Sequence, residues 1–220
     1  MPTTAHRVVP GGPLTRSVAT ATGLVAAGGL AIELIHARSH APAVEWLVGL
    51  LSLSYEQNLP TWYASCLLFS CAVLLTVIVR RAPGDRLRWG LLAAIFYYMS
   101  LDETAELHEQ LGGTFETGGL LYFDWVIPAA LAVAVIGLFY LPFVLRLPEP
   151  TRRRIVIAGV LYVGGALLME LPLGYWTERA GSDNLTYAVI DWVEESLELA
   201  GASLLLLTLW SHANVDASAS

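Results

Sequence analysis

Lysine is missing altogether, so all 12 basic residues of Lys and Arg type are arginines. Charged residues make up only 14% of the 220-residue chain, against 55% hydrophobic ones. That balance leaves too little polar surface to cover a soluble domain of this size. Cysteine is nearly absent too. Cys66 and Cys71 are five residues apart and well separated around a helix, which excludes a CxxC metal pair and a disulfide framework and leaves them as packing residues. A net charge of −7 excludes nucleic acid as a partner. The glycine-rich stretch at 112–119 has neither the lysine nor the preceding strand of a phosphate loop, and reads as a flexible turn.

What the chain does contain is a recurring apolar run of about 20 residues, the length that crosses roughly 30 Å of hydrocarbon at 1.5 Å per residue. Six such runs are predicted, at 14–35, 60–79, 89–110, 121–145, 155–176 and 187–210. None alternates as a barrel strand does. The expected fold is therefore all-α: a polytopic bundle of six transmembrane helices over 14–211, with short tails at 1–13 and 212–220. Arg7, Arg16, Arg80, Arg81, Arg86, Arg88, Arg146, Arg152, Arg153 and Arg154 fall on one side and only Arg38 and Arg179 on the other. The positive-inside rule then puts both ends in the cytoplasm and the protein in the cytoplasmic or plasma membrane, with the lipid bilayer as its first partner. Trp46, Trp62, Trp125, Trp176 and Trp192 map near the outer boundary and Trp89 and Trp210 near the inner one, as interfacial anchors. The segment 44–58 is too short to cross and suits the outer interface.

Acids are placed unevenly. Of 19, only Asp85, Glu149 and Asp216 fall on the arginine-rich side. Spans three and six share the pattern D-x-x-x-E-x-x-E, with Asp102, Glu106 and Glu109 in one and Asp191, Glu195 and Glu198 in the other. At about 100° per residue each trio covers roughly 60° of its helix, forming a carboxylate stripe. The two spans run in opposite directions, so Asp102 is level with Glu198, Glu106 with Glu195, and Glu109 with Asp191. Glu33 and His36 add an E-x-x-H step at the end of span one, and Glu170 lies just before Pro172, whose missing N–H loosens span five.

Intramembrane ionisable groups are costly and mark function by default. With no cation deep in the spans, protons or metal ions must neutralise these acids. The arrangement resembles the di-iron carboxylate bundles, in which four helices supply glutamates and two E-x-x-H motifs. Here the one E-x-x-H is Glu33 and His36, and span six has E-x-x-E instead. The expected site is an outward-facing pocket holding one or two divalent ions (iron, manganese, zinc or calcium). Its ligands would be Glu106, Glu195, Glu170 and Glu33, then Asp102, Glu198, Glu109 and His36, with Glu103, His108, Asp191 and Glu194 at its edge. His36, His40 and His108 together would make a three-histidine zinc site.

Two functions follow from that pocket. One is a membrane metalloenzyme of oxidative or hydrolytic type. The other is a divalent-cation or proton-coupled transporter or channel, whose apolar inner half would need a homo-oligomer or a conformational change to complete the path.

Overall fold

The computed structural model describes residues 12–81, 85–108, 115 and 117–219, with side chains described as far as Asn214. Among the described residues eight α-helices follow one another: α1 (Pro13–His36), α2 (Pro42–Leu51), α3 (Leu59–Arg81), α4 (Arg86–Ala105), α5 (Val126–Val144), α6 (Glu149–Val163), α7 (Glu170–Ala180) and α8 (Leu185–Ala219). A single 3₁₀ turn at Gly119–Leu121 precedes α5, and a π-turn at Gly164–Met169 joins α6 to α7 without a break. No strand occurs among the described residues.

Local chemistry sets the helix starts. Pro13 and Pro42 stand in the first turns of α1 and α2, where a missing N–H costs nothing. Asn58 caps α3 by accepting from Thr61 N at 3.1 Å, and Asn184 caps α8 by accepting from Tyr187 N at 3.0 Å. The π-turn lies just before Pro172, which has no N–H to offer the carbonyl of Leu168, so the helix loosens in the turn before the proline.

Among the described residues four helices are long and apolar enough to cross a membrane: Pro13–His36, Leu59–Arg81, Val126–Val144 and the continuous stretch Glu149–Ala180. The other two predicted spans are α4 and α8, of 20 and 35 residues, which carry Asp102 and Glu103 and Asp191, Glu194, Glu195 and Glu198 respectively. α2, with 10 residues, is far too short to cross.

α8 is the hub, packed against α1, α3, α6, the π-turn and α7. Its contact with α3 is a heptad-like seam of Leu68, Cys71, Leu75 and Ile78 against Leu199, Ala202, Leu206, Leu209 and Ala213, all buried. Cys71 meets Ala202 and Arg81 meets Ala213, so these two helices run parallel. α6 crosses α8 in the opposite sense at two glycines: Gly201 abuts the backbone of Ala158 and Tyr162, and Gly165 abuts Glu194 and Glu198. Thr22 ties three helices together, 2.8 Å from the Tyr63 hydroxyl on α3 and 2.7 Å from the Ser203 hydroxyl on α8.

Three expectations change here. Span three stops at Ala105 instead of 110, because Glu106 takes a left-handed conformation (φ 51°) that ends the helix. The 212–220 tail is not separate, since α8 continues to Ala219. Trp89 is no interfacial anchor: it is buried at 4.9 Å from the Phe143 ring, and Trp192 spends its indole N–H on Ala26 O at 2.7 Å. Trp46 and Trp62 remain largely exposed, as an anchor requires.

Candidate metal centre and buried carboxylates

α1 ends at His36, and the turn through Ala41 folds α2 back so that Glu45, in its first turn, meets the end of α1. His36 Nε2 lies 3.1 Å from Glu45 Oε1 and His40 Nδ1 lies 3.2 Å from the same oxygen. The two ring nitrogens are 3.3 Å apart. Three donor atoms thus form a nearly equilateral triangle. Tetrahedral bonds of about 2.0–2.1 Å require ligand edges of roughly 3.3–3.4 Å, close to what is observed. His36 is partly screened, whereas Glu45 and His40 face solvent. Slight desolvation of Glu45 is outweighed by hydrogen bonds to His40 and His36, which draw its carboxyl below the ordinary 4.5.

Behind His36 stands Glu33, 6% exposed. One of its oxygens accepts the Ser52 hydroxyl and the other lies 3.9 Å from His36 Nδ1. The E-x-x-H step therefore places a carboxylate behind the His36 ring, too far for a hydrogen bond, while Nε2 on the other side meets Glu45. The group opens on a cavity of about 200 Å³ whose walls include Ser54, Tyr55, Asp183 and Tyr187. Burial, and then the nearby carboxylates Glu33, Asp183 and Glu45, raise the Tyr55 phenol above its usual value.

The three-histidine arrangement is not formed. His108 pairs instead with Asp102, at 3.0 Å through Nδ1 and 2.9 Å through its backbone N–H, and lies 4.8 Å from the Trp125 ring. Trp125 in turn donates to Glu170 at 3.2 Å, so Asp102, His108, Trp125 and Glu170 form a latch across α4, α5 and α7. The cause is the early end of α4, which frees the backbone to curl back over Asp102.

That same helix end breaks the predicted stripe of span three. Glu106 accepts from Gln57 at 3.0 Å, and Glu109 lies outside the described residues. Glu103, expected only at the edge, takes the central place. It borders a small void with Glu195, Glu198 and Tyr162, lined also by Ala64 and Leu68. The predicted level pairs of Asp102 with Glu198 and Glu106 with Glu195 are thus replaced by Glu103 facing both glutamates of α8. Asp191 and Glu194 are buried above them, at 8% and 6% exposure. The charged groups acting on Glu195 are all carboxylates: Glu198, Glu103, Asp191 and Glu56.

Sequence reasoning missed Glu45 and Tyr162 as members of these groups. The signal for Glu45 was the spacing His36-x₃-His40-x₄-Glu45 across a proline-initiated turn. Tyr162 carried none, because its place depends on how closely α6 approaches Gly201.

A family model described as a domain of unknown function (DUF8692) matches residues 17–213. No curated protein and no solved structure matches the chain.

Proposed function

The chain belongs to the DUF8692 family, and we propose for it a six-span membrane protein, with both ends cytoplasmic, that holds a divalent metal ion in an outward-facing histidine and carboxylate pocket. The observation that carries this reading is the triangle of His36 Nε2, His40 Nδ1 and Glu45 Oε1, with edges of 3.1–3.3 Å and Glu33 behind it. Two imidazoles and one carboxylate are the donor set of hydrolytic zinc centres and of non-haem iron oxygenases, both of which keep a position open for water or substrate. The cavity of about 200 Å³ beside the triangle supplies that space. A hydrolytic or oxidative membrane metalloenzyme fits this arrangement best.

A second reading, a cation conduit, draws on the acids that continue inward from the cavity through Asp191 to Glu195 and Glu198. Against it stands the closed inner half of the bundle, where Leu205, Leu206 and Leu209 of α8 are buried.

The test is metal content and Co(II) binding on detergent-purified protein prepared without chelator. One equivalent is expected, with the visible spectrum of a tetrahedral or five-coordinate ion, and with at least a ten-fold weaker affinity after His36→Ala or Glu45→Ala. Stoichiometric Co(II) that is indifferent to both changes would remove the proposal. Metal-sensitive dye inside reconstituted vesicles separates the two readings, since flux abolished by Glu195→Gln favours the conduit and tight metal without flux favours chemistry.

A further inference from the structure

The cavity beside the outer triangle is larger than an ion and its water require. At about 200 Å³ it holds a small organic molecule, since a cavity of about 150 Å³ accommodates benzene. The loop between α2 and α3 brings Tyr55 to its wall, the turn between α7 and α8 brings Ser182 and Asp183, and the first turn of α8 brings Tyr187. No arginine lines it, and the chain has no lysine.

Both connecting segments are held in place. Asn58 donates to Ser52 O at 2.7 Å and to Tyr55 O at 2.8 Å, and Ser54 N donates to the Ser52 hydroxyl at 3.0 Å, which pins the backbone around Tyr55. Asn184 donates to Gly181 O at 2.9 Å and accepts from the Trp176 indole at 2.8 Å and from Tyr187 N at 3.0 Å, so the turn that carries Asp183 is tied to both α7 and α8.

The charges around the cavity leave a remainder. Glu33 and Glu45 bring two negative charges, which one divalent ion in the triangle offsets. Asp183 is left over. It enters none of the ion pairs among the described residues, and the arginines nearest to these groups in the chain serve other partners: Arg38 donates to Leu34 O at 2.7 Å, and Arg179 lies over the Tyr175 ring at 4.0 Å. The charged groups that act on Tyr55 are Glu33, Asp183 and Glu45, carboxylates all. An anionic group placed there would be repelled. An ammonium group would meet a carboxylate and aromatic rings, the surroundings that recognise organic cations.

We infer that this cavity seats a small organic cation, with its ammonium group among Asp183, Tyr55 and Tyr187 and its other end toward the metal held by His36, His40 and Glu45. The role of that other end as the reacting one rests on the metal centre proposed above; the cation seat is built from different residues. A soluble amine and the ammonium headgroup of an outer-leaflet lipid share this chemistry.

Choline titrated into Co(II)-loaded protein, in a detergent without an ammonium group, tests the seat by calorimetry and saturation-transfer NMR. The control is the neutral alcohol in which carbon replaces the ammonium nitrogen. Choline should bind about ten-fold more tightly than the control, or better. Asp183→Asn should abolish that preference and leave the neutral alcohol unchanged. Tyr55→Ala should weaken choline several-fold, whereas Tyr55→Phe, which keeps the ring, should not. An unaltered Co(II) spectrum in each variant shows that the fold and the triangle are intact. In nanodiscs, competition with choline by phosphatidylcholine but not by phosphatidylglycerol assigns the seat to a lipid headgroup, and equal choline affinity in the two assigns it to a soluble amine. Choline no tighter than the neutral alcohol, or a preference that survives Asp183→Asn, would overturn the cation seat even with Co(II) fully bound. Choline preference that stands while the unsubstituted protein takes no Co(II) would sink only the metal centre.

Discussion

Replacing Gly201 by alanine tests how tightly α6 is held against the acid-bearing face of α8. A Cβ there would stand 2.7 Å from Tyr162 N, 2.8 Å from Ala158 O and 2.9 Å from Tyr162 Cβ. Ordinary contact begins at 3.4 Å, so the backbone of α6 must retreat by about 0.5–0.7 Å, with no flexible side-chain end to absorb the shift. Overpacking of this kind costs about 1–3 kcal/mol. Gly159, on α6 itself, has nothing within 4 Å of its Cβ position and is the matched control. There alanine should gain about 0.4–1 kcal/mol, through helix propensity and a less flexible unfolded chain. The two variants should therefore separate by at least about 1 kcal/mol in denaturant unfolding followed by circular dichroism in detergent, a factor of about five or more in the unfolding equilibrium. Superimposable unfolding curves for the two would refute the close approach of α6 to α8 at Gly201.

Two further outcomes are expected. In a Cys66→Ala, Cys71→Ala background, Ser182→Cys should react with an impermeant maleimide added outside right-side-out vesicles, and Glu149→Cys only after permeabilisation; the opposite pattern would refute the six-span orientation. The Glu45 carboxyl should titrate by NMR below 4.5 in metal-free protein and return toward 4.5 in the His36→Ala, His40→Ala variant. Since its folded value is depressed, its contribution to stability is present above pH 4.5 and is lost as pH falls through the lower folded value. A midpoint at or above 4.5 in the unsubstituted protein would count against the triangle.

The helices were legible because apolar runs of crossing length are a coarse and repeated signal. Proline and asparagine at positions such as Pro42, Asn58 and Asn184 sharpen their starts. The acids of α8 were legible for the same reason, since Asp191, Glu195 and Glu198 keep helical spacing inside a helix that continues well past them. The third span was misread at its outer end. Asp102 to Glu109 has the composition of a helix, and no glycine or proline announces that Glu106 will turn left-handed. A stripe drawn through that point picked Asp102 and Glu106, whereas the intact helix turns Glu103 toward α8. Glu45 and Tyr162 were beyond reach for another reason: one depends on the angle of the five-residue turn between α1 and α2, the other on a backbone approach that two glycines permit.

The π-turn at Gly164–Met169 has a rotational consequence. In an unbroken α-helix Tyr162 and Glu170, eight residues apart, would point about 80° away from each other. One extra residue of winding, as a π-turn supplies, takes back about 100° and leaves them within roughly 20° of one line. Tyr162 at the void and Glu170 beside Glu194 can then both look at the same neighbour from two levels of one rod. Deleting a single residue such as Ala166 would let the rod run on as plain α-helix with Tyr162 and Glu170 seven residues apart and still within roughly 20° of one line, whereas drawing the full-length segment into regular α-helix would swing its outer half aside and take the two side chains off their common face.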